Sequence, residues 1–158
     1  MNVAFYEKVW MWAAGGLIAA FLVTLVAGTA TSALQPPSHV ETIDPTSVST
    51  DPRFATPGVT TAGERTTVIT VASMFSFTPS DIHVPANRPV TFRLTSSDVT
   101  HGFQIVGTNG NSMVVPGYVS QFTTTFRTPG EYLIVCNEYC GMGHHMMFGK
   151  LIVEDVKP

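Results

Sequence analysis

Between Cys136 and Met147 the chain reads Cys-Asn-Glu-Tyr-Cys-Gly-Met-Gly-His-His-Met-Met, and no other segment is so well equipped for chemistry. Two thiols, an imidazole and a thioether form a soft donor set that favours copper over hard cations. Cys136 and Cys140 are the only cysteines, and His101 adds a second imidazole from a different predicted strand. A mononuclear blue-copper site needs two His, one Cys and a weak axial Met, which His101, Cys140, His144 and Met147 would supply. Cys136 would then be left over, a free thiolate beside copper and open to oxidation. Two cysteines four positions apart make better sense if both sulfurs bridge two metal ions. Each ion would share the thiolates and hold one imidazole, with the Met147 sulfur and a backbone carbonyl as the remaining weak ligands. The bland alternative is a Cys136–Cys140 disulfide in a domain outside the cytoplasm. It leaves the His and Met spacing unexplained.

Short strands must position these ligands. From Thr66 onward, β-branched alternating runs are separated by Pro, Asn, Ser and Gly. They are expected at Thr67–Ser73, Asp81–Val84, Pro89–Thr95, Gly102–Val106, Ser112–Val115, Gln121–Arg127, Glu131–Cys136 and Phe148–Glu154. Regular strands without a helical period point to an all-β sandwich. A Greek-key sandwich with metal ligands at one end would resemble the cupredoxin arrangement, and a cupredoxin-like fold is the expectation. Residues 65–158 are assigned to this domain. Residues 35–64, rich in Pro, Thr and Ser, read as a linker that wraps the domain or spaces it from a membrane.

Residues 1–34 are a different kind of segment. No charge interrupts Val9 to Ala33, roughly 25 residues or about 37 Å of helix, enough to cross a hydrocarbon core of about 30 Å. A cleaved signal peptide is the competing reading. The run is longer than an ordinary signal core, and Glu7 accompanies Lys8 where a basic segment would stand. A single transmembrane helix is therefore expected, with Trp10 and Trp12 at an interface. Lys8 places the N-terminus in the cytoplasm and the large domain outside. The net charge of −3 is thinly spread, and with no basic stripe a nucleic-acid partner is not expected.

The pattern Cys-x-Glu-x-Cys-x-x-x-His-x-x-Met from Cys136, with upstream His101 and the N-terminal apolar run, resembles subunit II of haem-copper cytochrome c oxidases. The resemblance implies a dinuclear CuA centre of two copper ions. Cys136 and Cys140 would bridge the ions, His101 and His144 would bind one each, and Met147 and the main-chain carbonyl of Glu138 would complete the set. It also implies an electron-intake subunit in a prokaryotic cell membrane, with a c-type cytochrome as donor and haem in subunit I as acceptor. The single span, Phe75-Ser76-Phe77-Thr78-Pro79 and His101-Gly102-Phe103 resemble the B-type (ba-type) group in particular. That group has Gln where Glu138 stands, which leaves a Mg²⁺ at the subunit I boundary, held by the Glu138 side chain, as an open expectation. A nitric oxide reductase subunit with the same centre and a membrane-tethered mononuclear cupredoxin are the alternative functions.

Further roles follow from the same resemblance. Phe75 and Phe77 would form the cytochrome-docking aromatic patch, although core packing is the competing reading for one of them. Glu7 would be the point of proton uptake into subunit I, against the simpler role of an interfacial charge. Family spacing selects His144 over His145 and Met147 over Met146. Met74, Met113 and Met142 are expected to pack, and His39 and His83 to be ordinary surface residues.

Overall fold

In the computed structural model, residues 3–32 and 40–155 are described. They fall into two units, residues 1–39 and 40–158, each treated by itself. The first is one helix, α1 (Val3–Ser32, 30 residues). No proline interrupts it, and its Leu, Ala, Val and Phe side chains as far as Ala27 are exposed. Such a helix satisfies its own backbone groups, which is what an apolar solvent requires of a spanning segment. Glu7 and Lys8 are inside its first turns.

In the second unit two sheets face each other. One runs β1 (Glu41–Thr42), β9 (Tyr118–Thr125), β6 (Pro89–Ser96), β3 (Arg65–Ser73), β2 (Gly58–Ala62), with β4 (Ser76–Thr78) also paired to β3. The other runs β5 (Asp81–Pro85), β11 (Phe148–Glu154), β10 (Gly130–Val135), β7 (His101–Ile105), β8 (Asn111–Val114). β3 pairs with β6, and β5 with β11, in parallel; the other pairs are antiparallel. Alternation sends Val68, Ala72, Phe92 and Leu94 from one sheet, and Ile82, Ile105, Ile134 and Leu151 from the other, into one core. Phe92 anchors it, stacked on Phe122 at 5.0 Å and set edge-on to Phe126 at 6.2 Å. Each such buried side chain contributes about 1.5–3 kcal/mol of transfer free energy.

The eight expected strands are all present, with ends displaced by up to three residues. The expected linker requires correction. Its first part, residues 35–39 with His39, lies outside the described residues, but from Val40 on it belongs to the domain. Ile43, Val48 and Phe54 form a second small core against Ile69, Val71 and Val119, on the side of the first sheet away from the main core. Ile43 N–H donates to Gly117 O at 3.1 Å. Arg53 clasps Asp51 and Glu41 at 2.6 Å each, and Glu41 also meets Arg93 at 2.6 Å. These bonds hold the Asp51 carboxyl at about 2, chiefly through Arg53. For Glu41 burial pulls upward, but the two arginines outweigh it and lower its pKa. Three apolar residues widely spaced among Pro, Thr and Ser show no period, so composition disguises a strap as a linker.

Candidate metal centre

β10 and β11 are joined by the twelve residues 136–147, and the register Val135↔Phe148 brings the two ends of that loop together. Cys136 N–H donates to Met147 O at 3.2 Å and closes its neck. β7 lies antiparallel beside β10, so its first residue, His101, emerges at the same end of the sheet. The loop finishes in a 3₁₀ turn over His144–Met146, with Met147 N–H bonded to His144 O at 3.1 Å. In such a turn residues three apart share a side. His144 and Met147 therefore point together, while His145 and Met146 are exposed.

The donors converge. His101, Cys136 and Cys140 offer ligand atoms all within 4.8 Å of one another. His101 Nδ1 lies 3.9 Å from Cys136 Sγ, and His144 Nδ1 lies 3.6 Å from Cys140 Sγ. Met147 Sδ is 3.7 Å from Cys140 Sγ, and the Glu138 carbonyl accepts from Cys136 Sγ at 3.1 Å. The two sulfurs are 3.8 Å apart and both cysteines are free thiols. His101, Cys136, Cys140 and Met147 are buried. Burial, with the neighbouring Cys136 sulfur, pushes the Cys140 thiol up, against backbone N–H bonds from Phe75 and from Cys140 itself. A soft cation that displaced those thiol protons would relieve this crowding, since thiolates are the binding form. The donor set fits copper in kind, with no hard oxygen ligand among its side chains.

Two glycine positions let the loop close. Gly141 has φ +132°, and a Cβ there would meet the Phe75 ring at 3.2 Å; one on Gly143 would sit 2.8 Å from it. Phe75 itself is left-handed, φ 69°. Its ring therefore lies over the ligand loop while remaining 38 % exposed. Phe77 does not join it. That side chain is buried, edge-on to Phe103 at 5.3 Å, because alternation along β4 turns it inward. The expected docking role of Phe77 is corrected to core packing. The methionines are corrected in the opposite sense: Met74, Met113 and Met142 are exposed, Met142 by 91 %. Met74 and Met142 sit in turns, and Met113 takes the outward alternate of β8.

His83 is exposed and pairs with Glu154 at 2.6 Å. Sequence reasoning missed Asp98, whose Oδ1 is 2.8 Å from His101 Nε2. Burial raises its carboxyl, but the hydrogen bonds from His101, Val99 N–H and Met74 N–H outweigh that and lower it. A carboxylate three residues before a candidate ligand histidine was the available signal. Tyr139 was missed too; it is exposed between the cysteines, its ring 5.9 Å from His144.

Comparison with known proteins agrees with this geometry. The cupredoxin-like domain family matches residues 18–153. A cytochrome c oxidase subunit 2 from Thermus thermophilus is 39 % identical over 155 residues, covering 95 % of this chain and 92 % of that protein. Another from the same species is 42 % identical over 130 residues, 80 % of this chain and 96 % of its own length. A chain in a cryo-EM structure of a heme-copper terminal oxidase dimer superposes with a TM-score of 0.72 at 32 % identity, over 94 % of this chain and 99 % of its own. The periplasmic domain of subunit II from Bradyrhizobium japonicum, at 17 % identity and TM-score 0.53, shares the fold. With its β-sandwich, its N-terminal apolar helix and its cluster of soft donors, the chain belongs to the cupredoxin-like subunit 2 family of haem-copper cytochrome c oxidases.

Proposed function

We propose that this chain accepts electrons from a c-type cytochrome and delivers them to haem in a partner subunit I. Its centre would be two copper ions, which His101, Cys136, Cys140, His144, Met147 and the Glu138 carbonyl would hold. Such a pair would supply a one-electron site that changes shape little on reduction. The observation that carries this reading is the pair of free sulfurs 3.8 Å apart, flanked by one imidazole each. A mononuclear site would strand one buried thiol there.

The chain's own residues supply the rest. Burial of both cysteines keeps water and oxidants from the sulfurs. Phe75, Met142 and Tyr139 offer an exposed, uncharged surface around the loop for the cytochrome. Helix α1 is long and apolar enough to cross a membrane, and Lys8 orients it with the N-terminus inside and the copper domain outside. Glu7 then stands at the inner mouth as the candidate for proton uptake. No group of three His, Cys, Asp or Glu forms around Glu138 among the described residues, so a Mg²⁺ there would take its other ligands from subunit I. Membership of the B-type group is part of the same proposal.

The test is reconstitution of the chain with a haem-copper subunit I, followed by stopped-flow mixing with reduced c-type cytochrome under oxygen or nitric oxide. Copper reduction preceding haem reduction, with oxygen consumed, supports the reading. Turnover of nitric oxide alone would move the chain to the reductase alternative, and haem reduction without the copper step would refute it.

A further inference from the structure

One side chain touches a candidate ligand with one oxygen and the turn over the loop with the other, without being a ligand. Asp98 lies in the turn between β6 and β7. Its Oδ1 accepts from Val99 N–H at 2.6 Å and faces His101 Nε2 at 2.8 Å. Ser96 Oγ also approaches Oδ1, at 3.3 Å. Its other oxygen, Oδ2, accepts from Met74 N–H at 2.5 Å, across 24 residues of sequence.

The two arms lead to different halves of the centre. A carboxylate at Nε2 fixes the proton there, which leaves Nδ1 bare and aimed at Cys136 Sγ, 3.9 Å away. Met74 precedes Phe75, whose left-handed backbone directs its own N–H to Cys140 Sγ and its ring onto Gly141 and Gly143. Two successive backbone amides thus point one to Asp98 and the next to a cysteine sulfur.

We propose that Asp98 is a positioning residue for the whole copper centre, one oxygen setting the tautomer of His101 and the other anchoring the Met74–Phe75 turn that closes over Cys140. This rests on the copper reading above. Partners of metal ligands are worth about 10- to 100-fold in metal affinity. An N–H donor on a metal-bound sulfur stabilises the reduced, more negative centre, so releasing the Phe75 turn lowers the reduction potential.

The carboxylate accepts N–H groups on both oxygens, and that makes Asp98→Asn selective. An asparagine NH₂ at the Oδ1 position would oppose two N–H donors, Val99 and His101. At the Oδ2 position it opposes one, Met74. The variant therefore keeps its carbonyl on His101 and releases the turn, while Asp98→Ala frees both arms.

The experiment uses the full chain in detergent. Copper content of the unsubstituted protein is measured first, so that failure of the copper reading is seen separately. In copper-free protein, ¹⁵N NMR reports the His101 tautomer; in the loaded protein, voltammetry reports the potential. Expected are a single Nε2–H tautomer in the unsubstituted chain and in Asp98→Asn, and a mixture in Asp98→Ala. The potential moves in both variants, the lost N–H bond lowering it and the lost carboxylate charge raising it, while amide exchange at Phe75 quickens in both and copper affinity falls about 10- to 100-fold in Asp98→Ala. A two-copper protein whose Asp98→Asn variant keeps the Phe75 N–H protected, or shows mixed tautomers, overturns the proposal. Should Asp98→Ala fail to fold, Asp98→Asn alone decides.

Discussion

Replacing Gly102 with alanine probes how closely β7 approaches the ligand loop. An added Cβ would fall 1.8 Å from Asn137 Oδ1 and 2.9 Å from Asn137 N. The side chain can swing aside at the loss of its 3.3 Å bond to Asn111, an exposed interaction of small value. The backbone nitrogen cannot, because Asn137 follows Cys136 directly. The loop must move by several tenths of an ångström, an overpacking cost of about 2 kcal/mol. In a domain of this size that lowers the melting midpoint by roughly 8 °C. The same shift disturbs Cys136 and the Glu138 carbonyl, so the copper absorption bands should change. Gly107→Ala is the control: φ is +80° with nothing within 4 Å, so it costs about 1 kcal/mol of backbone strain and leaves the copper bands alone. Calorimetry and visible spectroscopy of the full chain read both effects. A Gly102→Ala protein with an unchanged midpoint and unchanged bands would refute the close approach.

Acid should release the strap before the sandwich. Glu41 and Asp51 have pKa values below their ordinary ones, Asp51 at about 2, so their contribution is present above the usual carboxylate range and disappears as pH falls towards 2. Hydrogen exchange at Ile43 N–H should accelerate across that window while Ile134 stays protected; equal protection of both would contradict the ion-pair account. Cytochrome oxidation should depend weakly on ionic strength and fall several-fold in Phe75→Ala, with Phe77→Ala acting on stability instead, by about 3–5 kcal/mol. A steep salt dependence would show that charge, not apolar contact, guides docking. Glu7→Gln should slow turnover and leave the copper spectrum unchanged, and unaltered proton uptake would remove Glu7 from the path.

The convergence of the loop on His101 was legible because its soft donors stand out in residue type and interval. The inner strands were legible too, and most plainly β6, where Val90, Phe92 and Leu94 alternate with Thr91, Arg93 and Thr95. β2 was not, because its residues after Gly58 are exposed on both faces and carry no alternation. The strap escaped notice because Ile43, Val48 and Phe54 bury themselves one at a time, and Phe77 because local pattern does not say which aromatic of a pair turns inward. Asp98 and the Gly102–Asn137 contact join residues from different elements, and such relations become visible only when the sheet brings them together.

Copper content, measured together with the EPR spectrum of the oxidised full chain, tests the central claim most directly. Two copper ions per chain with one unpaired electron shared between them, seen as a seven-line pattern, is the predicted result. One ion with a four-line pattern, or a metal-free protein with Cys136 bonded to Cys140, would contradict the account.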